Sequence, residues 1–194
     1  MWSQTFLILA VLAAAFLLVT RSRRIDLLIR IFLTAGLLTL VTGSLMAETN
    51  PDRSQFLIGW NQTVGISFIL SALSMFIWHF KPTYTRHPYP FVYLPLLLIP
   101  IYGLISDMSV LSELLNQIFQ GGAYLIAVLL YFTLHKSGVY KNYYLGALLL
   151  FLLGYFGYWH YPGAAESGWP VWRFFTGTGT ILLAISFSGI STDS

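Results

Sequence analysis

Long apolar runs, each near twenty residues, alternate along the chain with short segments of charge, proline and glycine. A bilayer's hydrocarbon core is about 30 Å thick, a distance that about 20 helical residues cross. The runs fall at about residues 2–20, 26–47, 55–80, 90–106, 111–134, 143–160 and 168–190. They predict an all-α, polytopic integral membrane protein of about seven transmembrane helices, with 1–194 forming a single transmembrane domain. The fourth run is the shortest and carries Pro90, Pro95 and Pro100. It is expected to kink, or to begin at its first proline, because proline lacks the N–H that a helix interior needs. If it enters and re-emerges on one side, the count falls to six.

Composition points the same way. Of 194 residues, 57% are hydrophobic and 9% charged, and the mean hydropathy is +0.73, whereas a soluble domain carries about 25% charged residues. So little charge cannot wet the surface of a domain this size, and the apolar excess is expected to face lipid. Cysteine is absent, which excludes disulfides, thiolate metal sites and cysteine nucleophiles. The net charge is +3, but no basic stripe accompanies it, so nucleic acid is not an expected partner.

The placement of charge gives a direction. With the N-terminus outside, Arg21, Arg23, Arg24, Arg30, Lys81, Arg86, Lys136 and Lys141 fall on the inner side, leaving Arg53 and Arg173 outside. The acids Glu48, Asp52, Asp107, Glu113 and Glu166 fall outside. This is a positive-inside pattern, and it predicts N-out, C-in in a multi-pass membrane, expected to be a bacterial inner membrane. A six-span plan puts the last basic loop on the wrong face. Arg21 to Arg24 follow the first apolar run rather than precede it, so a cleavable signal peptide is not expected. The sequon at Asn61 lies within a run, where glycosylation is not expected.

Displaced by 113 residues, the first run matches the fifth: Gln4 with Gln117, Phe6 with Phe119, Ala10 with Ala123, Ala14 with Ala127 and Thr20 with Thr133. Displaced by 112, the third matches the seventh: Trp60 with Trp172, Gly65 with Gly177, Ile69 with Ile181 and Ser74 with Ser186. Either few residue types match by chance, or two three-helix units of the same orientation are joined by a linker helix. The N-out, three-plus-one-plus-three plan resembles that of SWEET-type sugar transporters, PQ-loop proteins and opsins. The chain departs from them in having no Pro-Gln pair in its first or fifth run and no lysine in its seventh, which excludes covalent retinal. Arg21 to Arg24, Glu48 and the segment Pro95 to Pro100 are also similar to the seven-span sensor regions that precede bacterial histidine kinases, although no kinase is expected here after Ser194.

The middles of the runs lack Asp, Glu, Lys, Arg and His, so proton relay and carboxylate-coupled ion transport are not expected. Arg173 and Glu113 lie about a turn inside an outer boundary, where each can reach the interface. His79, His87, His135 and His160 read as interfacial; a metal or haem shared by His79 and His135 is the sharper alternative. No nucleophile–base or metal motif occurs, and neither enzymatic activity nor a cofactor is expected.

Uncharged polar residues are more telling. Asn61, Gln62 and Thr63 share the outer third of their run with Asn116, Gln117 and Gln120 of the fifth and Gln4 of the first. Trp159, His160, Trp169, Trp172 and Arg173 lie above them. Amides turned toward hydrocarbon would be unpaired, so they are expected to face inward. They form either interhelical glue beneath an aromatic belt or a pocket for a small polar or anionic ligand. The candidate ligand-binding residues are Asn61, Gln62, Asn116, Gln117, Gln120, His160, Trp172 and Arg173. Thr63, Ser67, Ser71 and Ser74 make a small-residue stripe on the third run, and Thr176, Thr180 and Ala184 make one on the seventh; both read as close helix contacts. The expected function is a small-molecule transporter or carrier. The alternatives are a ligand-sensing membrane receptor acting through a partner, and a structural subunit of a larger membrane complex or homo-oligomer.

Overall fold

The computed structural model describes residues 2–21, 25–49, 54–80, 92–105, 109–133, 138–160 and 171–189. All regular structure among them is helical: α1 (Trp2–Arg21), α2 (Leu27–Thr49), α3 (Ser54–Phe80), a 3-10 turn (Leu94–Leu97) running into α4 (Leu98–Ile105), α5 (Ser109–Thr133), α6 (Gly138–Trp159) and α7 (Val171–Gly189). Each apolar run therefore became a helix, with ends within a few residues of those expected. Arg23, Arg24, Arg53, Lys81, Arg86, Lys136, His87, His135, Glu166, Trp169 and Pro90 lie outside the described residues.

The fourth run differs most from expectation. Residues 92–93 are helical, Leu94–Leu97 tightens into a 3-10 turn with Pro95 in its first positions, and the stretch Leu94–Ile105 rises about 20 Å. Trp2–Arg21, Gly59–Trp78 and Val110–Phe132 are each long and apolar enough to cross a membrane, whereas Leu27–Gly43 and Leu94–Ile105 are shorter apolar stretches. In α6 the tyrosines sit at both ends (Tyr140, Tyr143, Tyr144, then Tyr155, Tyr158) around a Leu-rich middle, a distribution that suits two interfaces.

Contacts divide the chain into two compact units, Leu27–Ile126 and Met1–Asp26 with Ala127–Ser194. In the first, α2 and α3 run antiparallel and touch through glycine. A Cβ on Gly36 would lie 2.7 Å from the Gly65 carbonyl oxygen and 2.8 Å from Ile69 Cγ1, and one on Gly43 would run into Asn61. Phe32 and Phe68 extend the contact, with ring centroids 5.6 Å apart. Trp60 of α3 lies against Tyr102 of α4 at 6.1 Å.

In the second unit α7 has a neighbour on each side. Antiparallel α6 meets it where Gly154 faces Thr176 and Gly146 faces Leu182, and where Ser186 Oγ donates to the Tyr140 carbonyl at 3.0 Å. Parallel α1 meets it where Gly177 receives Phe6 and Ala10 and Phe6 stacks on Phe174 at 5.0 Å. The fully buried Tyr144 donates its hydroxyl to the Ala127 carbonyl at 2.9 Å. Helix α1 buries Leu7, Val11 and Leu18 but leaves other large apolar residues outside. Its buried face carries Ala10, Ala14 and Ala15, while Leu9, Leu12, Phe16 and Val19 are 48–68% exposed. Alanines on the packed face and large apolar side chains outside it suit a helix that packs closely in lipid.

The compact units cut across the units suggested by the sequence matches, because α1 groups with α6 and α7 rather than with α2 and α3. The matched glycines also meet different neighbours: Gly65 faces α2, whereas Gly177 faces α1.

The glycine contacts predict unequal substitution costs. Gly36→Ala and Gly65→Ala should each destabilise the fold by about 1–3 kcal/mol through overpacking, read as lower Tm in detergent. Gly122→Ala should cost nothing, since a Cβ there meets nothing within 4 Å.

Candidate functional site

The eight predicted ligand-binding residues fall in both units: Asn61, Gln62, Asn116, Gln117 and Gln120 in one, His160, Trp172 and Arg173 in the other. Each group has its own local chemistry.

In the unit of α2 to α4, polar side chains close on one another around Gly59. Thr63 Oγ1 donates within 2.8 Å of Asn116 Oδ1, with the Gly59 carbonyl 3.0 Å away as a second acceptor for the same proton. The Tyr102 hydroxyl is hydrogen-bonded to the side chains of Ser112 and Asn116 and sits over Gly59, where a Cβ would collide with it. Thr63, Tyr102, Asn116 and Ser112 are all buried. A cluster this enclosed, with its members paired, joins α3, α4 and α5 and leaves its amide occupied. Asn61 is also engaged, since its Nδ2 donates to the Leu57 carbonyl at 2.8 Å while its Cβ packs on Gly43. Gln62, Gln117 and Gln120 are half-buried.

Sequence reasoning placed Asn116 at the site but overlooked Tyr102 and Ser112. The signal available was the four-residue spacing of Ser112 and Asn116, which sets both on one face of α5.

In the other unit, the start of α7 meets the start of α1 and the end of α6. Arg173 Nη1 donates to Gln4 Oε1 at 3.4 Å, and its guanidinium carbon lies 5.3 Å from the centre of the Trp172 ring. Trp172 crosses Tyr158 edge to face at 5.0 Å, and its Cβ lies against Gly157. The indole Nε1 of Trp172 is buried with no hydrogen-bond partner. His160 is exposed and lies over Phe156, its ring 5.4 Å away.

The electrostatics here are unusual. The first turn of a helix exposes unpaired N–H groups and a partial positive charge, which favour acidic side chains. The first turn of α7 has no acid and instead carries Arg173, so positive potential adds to positive potential. An indole donor without an acceptor sits beside it. Chemically the place is rich in donors. Among the described residues no group of three or more His, Asp or Glu is placed to hold a metal ion.

Comparison with protein-family models, curated proteins and solved structures finds no match to any of them.

The closed cluster predicts a structural role for Asn116. Asn116→Leu and Thr63→Val should each lower stability, and a double-mutant cycle should give a coupling of about 0.6 kcal/mol, the average for interhelical hydrogen bonds in membranes. Thermal unfolding of the four proteins measures it; a coupling of zero removes the bond.

Proposed function

We propose that the chain is a multi-pass membrane carrier that takes up a small polar or anionic solute at the donor-rich end of α1 and α7. The observation that carries this reading is Arg173 in the first turn of α7, beside the unpaired indole N–H of Trp172 and within reach of Gln4. A carboxylate or phosphate oxygen supplies an acceptor for the Trp172 indole, and a guanidinium binds such groups through two parallel hydrogen bonds. The aromatic walls from Tyr158 and Trp172 then exclude water and strengthen those bonds.

In this proposal all seven runs cross the bilayer, N-out and C-in. Two observations support that count. Helices α1 and α7 run parallel in direct contact, which requires an even number of crossings between their starts. The basic residues follow the positive-inside rule on the same plan. The site then lies in the outer half, and Lys141, which sits 4.7 Å from the centre of the Tyr131 ring, lies at the opposite interface.

Topology is tested directly because the chain has no cysteine of its own. Single cysteines at Ser22, Thr85 and Ser137 should react with impermeant maleimide only from the inside, and those at Ser54, Ser106 and Gly163 only from the outside. Outside labelling at Ser137 removes the seven-span plan.

Arg173 tests the solute site. Liposomes containing the protein should accumulate labelled small carboxylates or phosphates, and Arg173→Met should weaken that uptake by about 2–5 kcal/mol, the loss expected when one partner of a desolvated charged contact is removed. Arg173→Lys should recover only part of it, because an ammonium keeps the charge without the fork. Unchanged uptake in a well-folded Arg173→Met protein overturns the reading.

A further inference from the structure

Helix α3 has two unlike faces. Toward α2 it presents Asn61, Gly65, Phe68 and Ile69. About half a turn round, at successive four-residue steps, stand Thr63, Ser67 and Ser71, with 1%, 0% and 0% of their surfaces exposed. The Thr63 hydroxyl is used by Asn116 and Gly59. The Ser67 and Ser71 hydroxyls are buried with no hydrogen-bond partner.

A helical hydroxyl has an easy remedy for burial, which is to donate to the carbonyl four residues back. Thr63, Thr176 and Thr180 all do so. Ser67 and Ser71 do not, so two groups that each donate and accept share one buried seam. Leaving such groups unmade carries the full cost of their desolvation.

We infer that Ser67 and Ser71 form an internal binding site for water. An apolar occupant would leave both hydroxyls unpaired. An anion is disfavoured because Ser54–Phe80 contains no lysine or arginine. Side chains four apart on a helix have Cβ atoms about 5–6 Å apart, and one water with two hydrogen bonds of about 2.8 Å spans that gap. Serine at both positions, with Ser74 next along the stripe, keeps the side-chain volume small where the water sits. One turn away the seam is continued by the Thr63, Asn116, Tyr102 and Ser112 cluster, so the water extends a polar line rather than standing alone in hydrocarbon. The site lies apart from Arg173, in the other compact unit, and stands whether or not a solute binds there.

Two measurements on the full chain in detergent or nanodiscs decide the matter. Ser67→Ala and Ser71→Ala should each lower Tm by about 2–4 °C relative to Ser74→Ala, a control for helix propensity on the same stripe, as loss of one hydrogen-bonded anchor implies. If either variant matches or exceeds Ser74→Ala in Tm, the hydroxyl was an uncompensated cost and the site is overturned. X-ray radiolysis generates hydroxyl radicals from bound water where it sits. Ile66 and Leu70, each 6% exposed, should be oxidised faster than Leu37 at 3%, and the Ser67→Ala/Ser71→Ala double variant should lose that excess. Equal rates for the three residues, or an excess that survives in the double variant, overturn the site as well.

Discussion

The contact of glycine with a facing backbone is the interaction on which the rest of this structure depends. Where Gly36 meets the Gly65 carbonyl, the two backbones approach until a single methyl would not fit between them. Apolar surface gives helices little reason to associate in lipid, because lipid tails are as apolar as leucine; close van der Waals contact and hydrogen bonds must do that work. The same logic puts alanines on the inner face of α1 and leaves Phe16 and Leu9 outside. Once α2 and α3 are locked by their glycines, the opposite side of α3 carries the buried hydroxyls of Thr63, Ser67 and Ser71. Once Gly177 admits Phe6, the first turns of α1 and α7 lie at one level, and Gln4 comes within reach of Arg173.

The helices themselves were legible because a run of about twenty apolar residues has few other solutions. Segment 90–106 was legible only in part. Its prolines announced a disturbance, but whether they would bend a helix or shorten it depends on how Pro95 is packed, and Pro95 is buried. Helix neighbours were not legible at all. In α1 apolar residues point both inward and outward, so hydrophobic pattern cannot tell the two faces apart. The same ambiguity limits what sequence matches reveal: Gly65 and Gly177 align by identity but face helices of different order in the chain.

The polar positions divide along a similar line. Depth along a helix can be counted from the sequence, and Gln4 and Arg173 do meet at one level. Rotation about the helix axis cannot be counted so securely, since an error of one residue turns a side chain by about 100°. Asn116 turned into a closed cluster with Thr63, while its neighbour Gln117 is only half-buried. Tyr102 escaped notice because tyrosines in an apolar run read as interfacial, whereas this one carries its hydroxyl to a buried position over Gly59.

What separates the two polar regions is whether their donors and acceptors balance. Around Gly59 an amide, two aliphatic hydroxyls and a phenol supply both kinds of group, and they satisfy one another. Such a set holds helices together and has little to offer a passing solute. At the start of α7 one donor is left over, the indole of Trp172. A guanidinium and an indole N–H are both donors; the first reaches Gln4 Oε1 at 3.4 Å and the second has no partner. A fold under no other demand would place an acid there, because an acid pairs the helix terminus and neutralises the cation together. That α7 begins with Val171, Trp172 and Arg173 instead is the local feature on which the proposed solute site rests, more than on any resemblance of plan.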